Sequence, residues 1–175
     1  MTFNFQNLNS ITRVAMLKEV EYDLDHNNLY KSTRLNGRGN NEYANLLKCA
    51  IQSGNEVTLA ESLTRDFFKE TEYRTRGLKQ FSARVPQNAN ETLAEGEFNR
   101  FYIRALCVIA ISKDQKVVNV YRAKDTTNPR IESDAKIGKN VDAEELLADL
   151  RTNIGVDTAL KLPSGPNSGL SVKLI

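Results

Sequence analysis

A chain of 175 residues, 40% apolar and 26% charged, has the composition of a soluble globular protein that buries its core without disulfides. A net charge of +2 is too small to indicate nucleic acid by itself, and a single histidine leaves histidine-built zinc sites and Ser–His or Cys–His relays with one candidate. The two cysteines, Cys49 and Cys107, lack CxxC spacing, sit at apolar helix positions and read as buried reduced thiols. The opening residues Met1-Thr-Phe-Asn-Phe-Gln-Asn lack the basic and apolar regions of a secretion signal. The longest apolar run, residues 105–111, is far short of the roughly 20 that a membrane span needs. These features predict a single domain over residues 1–175, without cofactor, metal or membrane contact, in the cytoplasm or in a virion.

Ser10 opens the first predicted helix, which runs to about Leu24 with Val14, Leu17, Glu21 and Leu24 on a partly apolar face and Val20 close by. Residues 25–41, rich in Asn and Gly, are expected to form a loop anchored by Leu29, Tyr30 and Leu35. His26 lies there between Asp25 and Asn27, an exposed histidine with no second ligand at i+4. The Leu35-Asn-Gly-Arg-Gly-Asn40 segment matches neither a Walker loop nor a dinucleotide loop and reads as a tight turn with glycine at positive φ. A second helix is predicted over about 41–53, with Tyr43, Leu46, Leu47, Ala50 and Ile51 facing inward and Gly54 stopping it. Thr58 and Glu61 match a capping box for a third helix bearing Leu59, Leu63 and Phe67, so helices two and three form an αα-hairpin.

Residues 69–89 change character. Lys69, Arg74, Arg76, Lys79 and Arg84 outnumber Glu70 and Glu72, and Tyr73, Phe81 and Val85 interleave with them. A short strand over residues 81–85, ended by Pro86, makes this a basic arm, in the form of a solvated β-hairpin. Basic side chains interleaved with aromatics also suit a phosphate backbone.

The strongest helical signal follows. Its start has two competing caps, Asn90 alone or Thr92 paired with Glu95. Phe98, Phe101, Tyr102, Ala105, Leu106 and Ile109 recur at three- and four-residue steps on one face, while Glu97, Arg100 and Arg104 lie on another. Residues 105–111 are apolar all round, which predicts a central helix buried in its second half. A strand over 116–124 comes next, and residues 125–141 read as a long loop carrying Arg130, with a helical turn around Ser133. Asp142 and Glu145 start a helix through Leu146, Leu147 and Leu150, ended by Gly155. The extended tail of about 163–175 finishes in an alternating strand, Leu170, Val172 and Leu174, able to pair with the 116–124 strand or with another chain. The fold class expected is α+β: a helical core around one central helix, with a small antiparallel sheet built from 81–85, 116–124 and 170–174.

Three constellations bear on chemistry. Glu91 and Glu95, one turn apart, can share a cation, but acids in a first helical turn also complement its dipole. Glu97, Arg100 and Arg104, with Arg122 and Lys124 nearby if the next strand folds back, make either a buried ion-pair network or a small-molecule enzyme's site. A PD-(D/E)xK nuclease set is approached at Tyr121-Arg-Ala-Lys124, but Asn119 stands where an acid should bind metal.

The run Leu93-Ala-Glu-Gly-Glu-Phe-Asn-Arg-Phe-Tyr-Ile-Arg104, with Asn128-Pro-Arg-Ile-Glu-Ser and Gly165-Pro-Asn-Ser-Gly-Leu-Ser171, resembles a set of uncharacterised bacterial and prophage proteins. The resemblance implies a phage or mobile-element setting, where small proteins serve as virion, neck or host-interaction components, and it transfers no activity. The leading expectation is a non-enzymatic structural or interaction protein forming homo-oligomers or binding assembly partners through its loops and C-terminal tail. The alternative is a nucleic-acid binder or metal-dependent nuclease. For either partner the candidate contacts are Arg74, Arg76, Lys79, Arg84, Arg122, Lys124 and Arg130.

Overall fold

The computed structural model describes residues 2–155, 160 and 168–175. A 24-residue helix, α4 (Ala89–Ser112), runs through the middle of the α+β architecture. Every residue from 100 to 107 is buried, so all-round burial starts well before the apolar run at 105. Neither expected cap is used: Asn88 precedes the first turn without a side-chain bond. The Asn90 amide instead donates to the Ala60 carbonyl, tying α4 to the preceding helix.

Around α4 pack α1 (Ser10–Asp25), α2 (Gly37–Ser53), α3 (Glu56–Ser62) and α6 (Ala143–Thr152). Asn9 rather than Ser10 caps α1, accepting from the Thr12 N–H at 3.0 Å. The buried face of α1 is rotated from the predicted one: Leu17 and Leu24 are only partly buried against the core and Val14 is exposed. Thr12, Met16, Glu19, Val20 and Asp23 face inward, while Ile11 and Val14 are exposed. Two acids face the core because a buried arginine meets them there.

The segment expected as a glycine turn is the first turn of α2. The Asn36 side chain accepts from the Gly39 N–H at 2.9 Å, and neither Gly37 nor Gly39 has a positive φ. Gly39 is required for proximity: a Cβ there would stand 2.3 Å from the Phe67 carbonyl oxygen. Helix α3 starts before Thr58, with Asn55 as cap and Thr58 as its reciprocal partner. Leu63 and Phe67 are buried as expected, but they lie beyond α3, Phe67 in a 3-10 turn at Arg65–Phe67. Asp142 caps α6 as expected, accepting from the Glu145 N–H at 2.9 Å.

Strand β3 (Val117–Arg122) forms the centre of a three-stranded antiparallel sheet between β4 (Asn140–Asp142) and β5 (Leu170–Lys173). Val118 pairs with Val141 and Val120 with Val172. The expected sheet is therefore corrected in one strand. Strands β1 (Thr71–Arg76) and β2 (Lys79–Arg84) pair only with each other, and β4 takes the third place from the end of the predicted loop. That loop also contains the anticipated helical turn, α5 (Ile131–Asp134), with Ser133 buried.

One apolar cluster joins the layers, including Met16 and Val20 of α1, Leu47 and Ile51 of α2, Phe98 and Leu106 of α4, and Val120 and Val172 of the sheet. Both cysteines are free, but only Cys107 is buried, and burial pushes its thiol up to about 12. Cys49 is exposed, on the solvent side of α2, contrary to its apolar appearance. His26 is exposed at the end of α1, its ring stacked on Tyr22 at 4.1 Å. Among the described residues, no helix is long and apolar enough to cross a membrane.

Candidate functional site

The three charged residues singled out on α4 do not come together. Arg104, fully buried, turns toward α1, where it meets Glu19 and Asp23 one helical turn apart. Its Nε donates to Glu19 Oε2 at 2.9 Å, and its two terminal nitrogens donate to the Asp23 oxygens at 2.6 and 2.8 Å. Arg151 of α6 closes the group, with Nη2 2.6 Å from Glu19 Oε1 and Nε 3.0 Å from Oε2. Phe101 lies beneath the Arg104 guanidinium at 4.9 Å, and Tyr22 against that of Arg151 at 4.2 Å. Burial raises the Glu19 carboxyl's pKa, but the Arg151 hydrogen bonds and the Arg104 charge outweigh it and hold it below the ordinary range. Both acids are buried and bidentately met, and only Arg151 keeps part of its side chain in solvent. This cluster joins three helices.

Glu97 and Arg100 lie on the same stripe of α4, two turns and one turn nearer its start. They border a cavity of about 350 Å³ whose wall on α4 includes Leu93, Gly96, Glu97, Asn99, Arg100 and Ile103. Tyr30, Ser32, Thr33 and Arg34 line it from the α1–α2 connection, Glu72 from the root of β1, and Leu150 from α6. The Glu97 side chain is 5% exposed, yet its one hydrogen bond among the described residues is a 3.3 Å contact from Arg100 Nε to Oε1. Its Oε2 is buried without a partner among the described residues, as is Asn99 Oδ1. Arg100 is engaged elsewhere too: its Nη1 donates to the Asn153 carbonyl at 3.0 Å, holding the C-terminal end of α6. Burial raises the Glu97 carboxyl's pKa above the ordinary range, and the nearby Arg100 charge counters only part of that.

The arm is the third feature. Its two-residue loop, Gly77-Leu78, puts Gly77 at φ +61°, the conformation a type II′ hairpin turn asks of its first central residue. Directly opposed residues share a face, and the pairs Arg74–Phe81 and Arg76–Lys79 alternate with Tyr73–Ser82 and Thr75–Gln80. Arg74, Arg76, Lys79 and Phe81 therefore stand on one face, while Arg84, opposite Thr71, shares the other with Tyr73. All are exposed, as is Leu78 at the tip. At the root, Arg34 Nε donates to Glu72 Oε2 at 2.6 Å and Arg74 Nη2 to Oε1 at 2.6 Å. The Arg34 hydrogen bond, aided by that from Arg74, holds the Glu72 carboxyl below the ordinary range.

The remaining basic candidates serve internal contacts. Arg122 donates to Asp134 Oδ1 at 2.5 Å and to the Ser168 carbonyl at 2.8 Å, pinning α5 and the start of β5 to β3. Lys124 pairs with Glu95, which commits one acid of the proposed Glu91–Glu95 cation pair. Arg130 is half-buried at the start of α5. Residues 168–175 return to the core through β5, and residues 163–167 of the expected tail lie outside the described residues.

Glu19, Asp23, Arg151 and Asn99 were not anticipated. A signal existed for the first two: acids four apart beside Met16 and Val20, in a chain whose central helix carries an arginine among apolar residues. Nothing local marks Asn99 or Arg151. No protein-family model, curated protein or solved structure matches the chain.

Proposed function

We propose that the chain is a non-enzymatic interaction protein, a helical core holding out a basic and aromatic hairpin to a partner in a larger assembly. A phage or prophage virion is the setting that the sequence resemblance suggests. The observation that carries this reading is the composition of the arm. Tyr73 is 78% exposed, Leu78 fully so and Phe81 45%, and arginines surround them. Tyrosine and arginine are the residues on which binding energy concentrates at protein interfaces, and bare apolar side chains on an ordered strand pair gain most from being covered.

The test is light scattering after size-exclusion chromatography, on the chain alone and co-expressed with the products of neighbouring genes. Wild type is compared with Tyr73→Ser/Leu78→Ser/Phe81→Ser. Removing residues 163–175 is a poor test, because it deletes β5 from the core sheet. The expected result is an oligomer or complex that the triple variant dissolves. A monomer under every condition, with no complex and no nucleic-acid binding, sinks the proposal.

A second reading is favoured by the shared face of Arg74, Arg76, Lys79 and Phe81, which suits a single-stranded nucleic acid: phosphates on the cations and a base on the ring. It requires binding that weakens steeply with salt, with a shallower salt slope in Arg74→Ala/Arg76→Ala/Lys79→Ala. Binding that is indifferent to salt excludes it.

A further inference from the structure

Strand β1, taken with the residue before it, reads Glu70-Thr-Glu-Tyr-Arg-Thr-Arg76. About its middle residue, Tyr73, this run is symmetric in kind and inverted in charge. Two acids precede the tyrosine, two arginines follow it at the same steps, and a threonine separates the members of each pair. Laid antiparallel on a second copy with Tyr73 opposite Tyr73, every position meets a suitable partner. Glu72 meets Arg74, Thr71 meets Thr75 and Glu70 meets Arg76. Opposite charges, paired threonines and paired aromatics are the cross-strand neighbours that stabilise an antiparallel ladder.

The backbone allows that register. Among the described residues β1 pairs only with β2, so its outer edge carries unpaired N–H and C=O groups. Opposed residues of an antiparallel pair alternate between exchanging both backbone hydrogen bonds and exchanging none. The Val85 N–H donates to the Glu70 carbonyl at 3.0 Å, and Glu72, Arg74 and Arg76 continue that bonded series toward β2. Thr71, Tyr73 and Thr75 therefore turn their backbone groups outward, and these are the residues that self-pairing about Tyr73 makes hydrogen-bonded partners. Moving the centre by one residue sets Glu72 against Glu72 or Arg74 against Arg74, so charge disfavours the neighbouring registers. The outer edge of β2 has no such symmetry, since Lys79 and Arg84 have no acid between them. At the root, Lys69 spends its N–H on the Arg34 carbonyl at 2.9 Å, which sets where the free edge begins.

Resting on the hairpin's role as a binding arm, we infer that two copies of the chain associate through the β1 edge. Their hairpins join into one four-stranded antiparallel sheet with a two-fold axis at Tyr73. Such a contact is isologous and closes as a dimer, with no β1 edge left to recruit a third copy. A two-stranded ribbon is marginally stable in water, and pairing gives it the further strands it lacks. Glu72 already holds Arg34 and Arg74 of its own chain, so the outer pair is the one to test. Glu70 and Arg76 are exposed and have no ion pair among the described residues. A contact confined to one strand edge is small, of the exchanging rather than the permanent class.

The test is sedimentation velocity of the full chain at rising concentration, for wild type, Glu70→Arg, Arg76→Glu and both changes in one chain. Each single change sets like charges opposite one another at two symmetry-related places and is expected to weaken dimerisation about tenfold or more. The combined variant restores opposite charges and is expected to dimerise as wild type does, and so is a mixture of the two single variants. Both positions are exposed, and unchanged melting temperatures verify that the variants fold. Register has its own readout. In a Cys49→Ser background, Tyr73→Cys is expected to form a disulfide dimer under mild oxidation, since its opposed Cα atoms lie about 5.5 Å apart. Thr75→Cys, opposite Thr71, is expected not to. A monomer at concentrations up to about 1 mM, the weak end of the affinity scale, overturns the inference. So does a dimer that the single reversals leave unchanged, a combined variant no better than the single ones, or equal cross-linking at positions 73 and 75. Should the chain then capture a different protein through Tyr73, Leu78 and Phe81, the arm keeps its role and only the self-pairing fails.

Discussion

Arg100 and Arg104 stand one turn apart on the same helix, both buried, yet their surroundings differ in completeness. Arg104 is met by acids from α1 that match it oxygen for nitrogen, and Arg151 closes the remaining valences of Glu19. Arg100 divides its donors between Glu97 and the α6 terminus, and the acid beside it keeps one buried oxygen unmet among the described residues. A closed ionic cluster orders helices; an incomplete one leaves a buried oxygen unsatisfied, which costs stability when the acid is ionised. Burial and residue type are the same in both places, so neither distinguishes structure from function. The inventory of donors and acceptors does.

The largest effect expected is at the closed cluster. Arg104→Leu strands Asp23, whose side chain is only 2% exposed, and leaves the nearly buried Glu19 to Arg151 alone. Leaving buried charges unpaired costs about 3–5 kcal/mol, read from equilibrium urea unfolding. Arg151→Ala leaves Arg104 in place, and its side chain is 29% exposed, so a smaller loss of about 1–2 kcal/mol is expected in the same assay.

The two acids give opposite dependences on pH. Glu19 titrates below its unfolded value of about 4.3, so its contribution is present above that pH and lost as pH falls through the folded value. The stability deficit of Glu19→Gln against wild type is therefore greatest near neutrality and closes in acid. Glu97 titrates above its unfolded value, so ionising it opposes folding, and that cost grows as pH rises through the folded value. Glu97→Gln should equal wild type near pH 4 and exceed it near pH 8. Unfolding midpoints across that range check both signs, and parallel curves for the two variants would erase the contrast between the sites.

The smallest effect on stability is expected from the arm. Arg74→Ala/Arg76→Ala/Lys79→Ala alters exposed side chains and should shift unfolding by no more than about 0.5 kcal/mol, while reducing partner or nucleic-acid binding. A large loss of stability there would show that the hairpin is part of the core rather than an arm.

Much of this fold is legible in the chain. The central helix, the α2–α3 hairpin, the basic hairpin, the Asp142 cap and the β3–β5 pairing follow from apolar periodicity, turn chemistry and composition. The misreadings share one cause, that local rules do not see distant partners. Val14, Leu17 and Leu24 mark an apolar face on α1; Val14 is exposed and the other two lie at the core's edge, because Arg104, more than 80 residues away, brings Glu19 and Asp23 inward. The glycines of residues 35–40 look like a turn until Phe67 is seen against Gly39. Strand β4, three residues long, has no pattern of its own and exists because β3 offers it an edge.

By itself the sequence determined which stretches are helical, which are basic and exposed, and that α4 must be central, because these depend on neighbours within a turn or two. Only the tertiary structure decided which acid meets which arginine, which cations share a face of the arm, and where the cavity opens. Those depend on how helices rotate and strands register against one another, and packing sets both. The three charged residues on α4 illustrate the division. Their need for partners was evident from the chain, and their separation into a closed cluster and an open one was not.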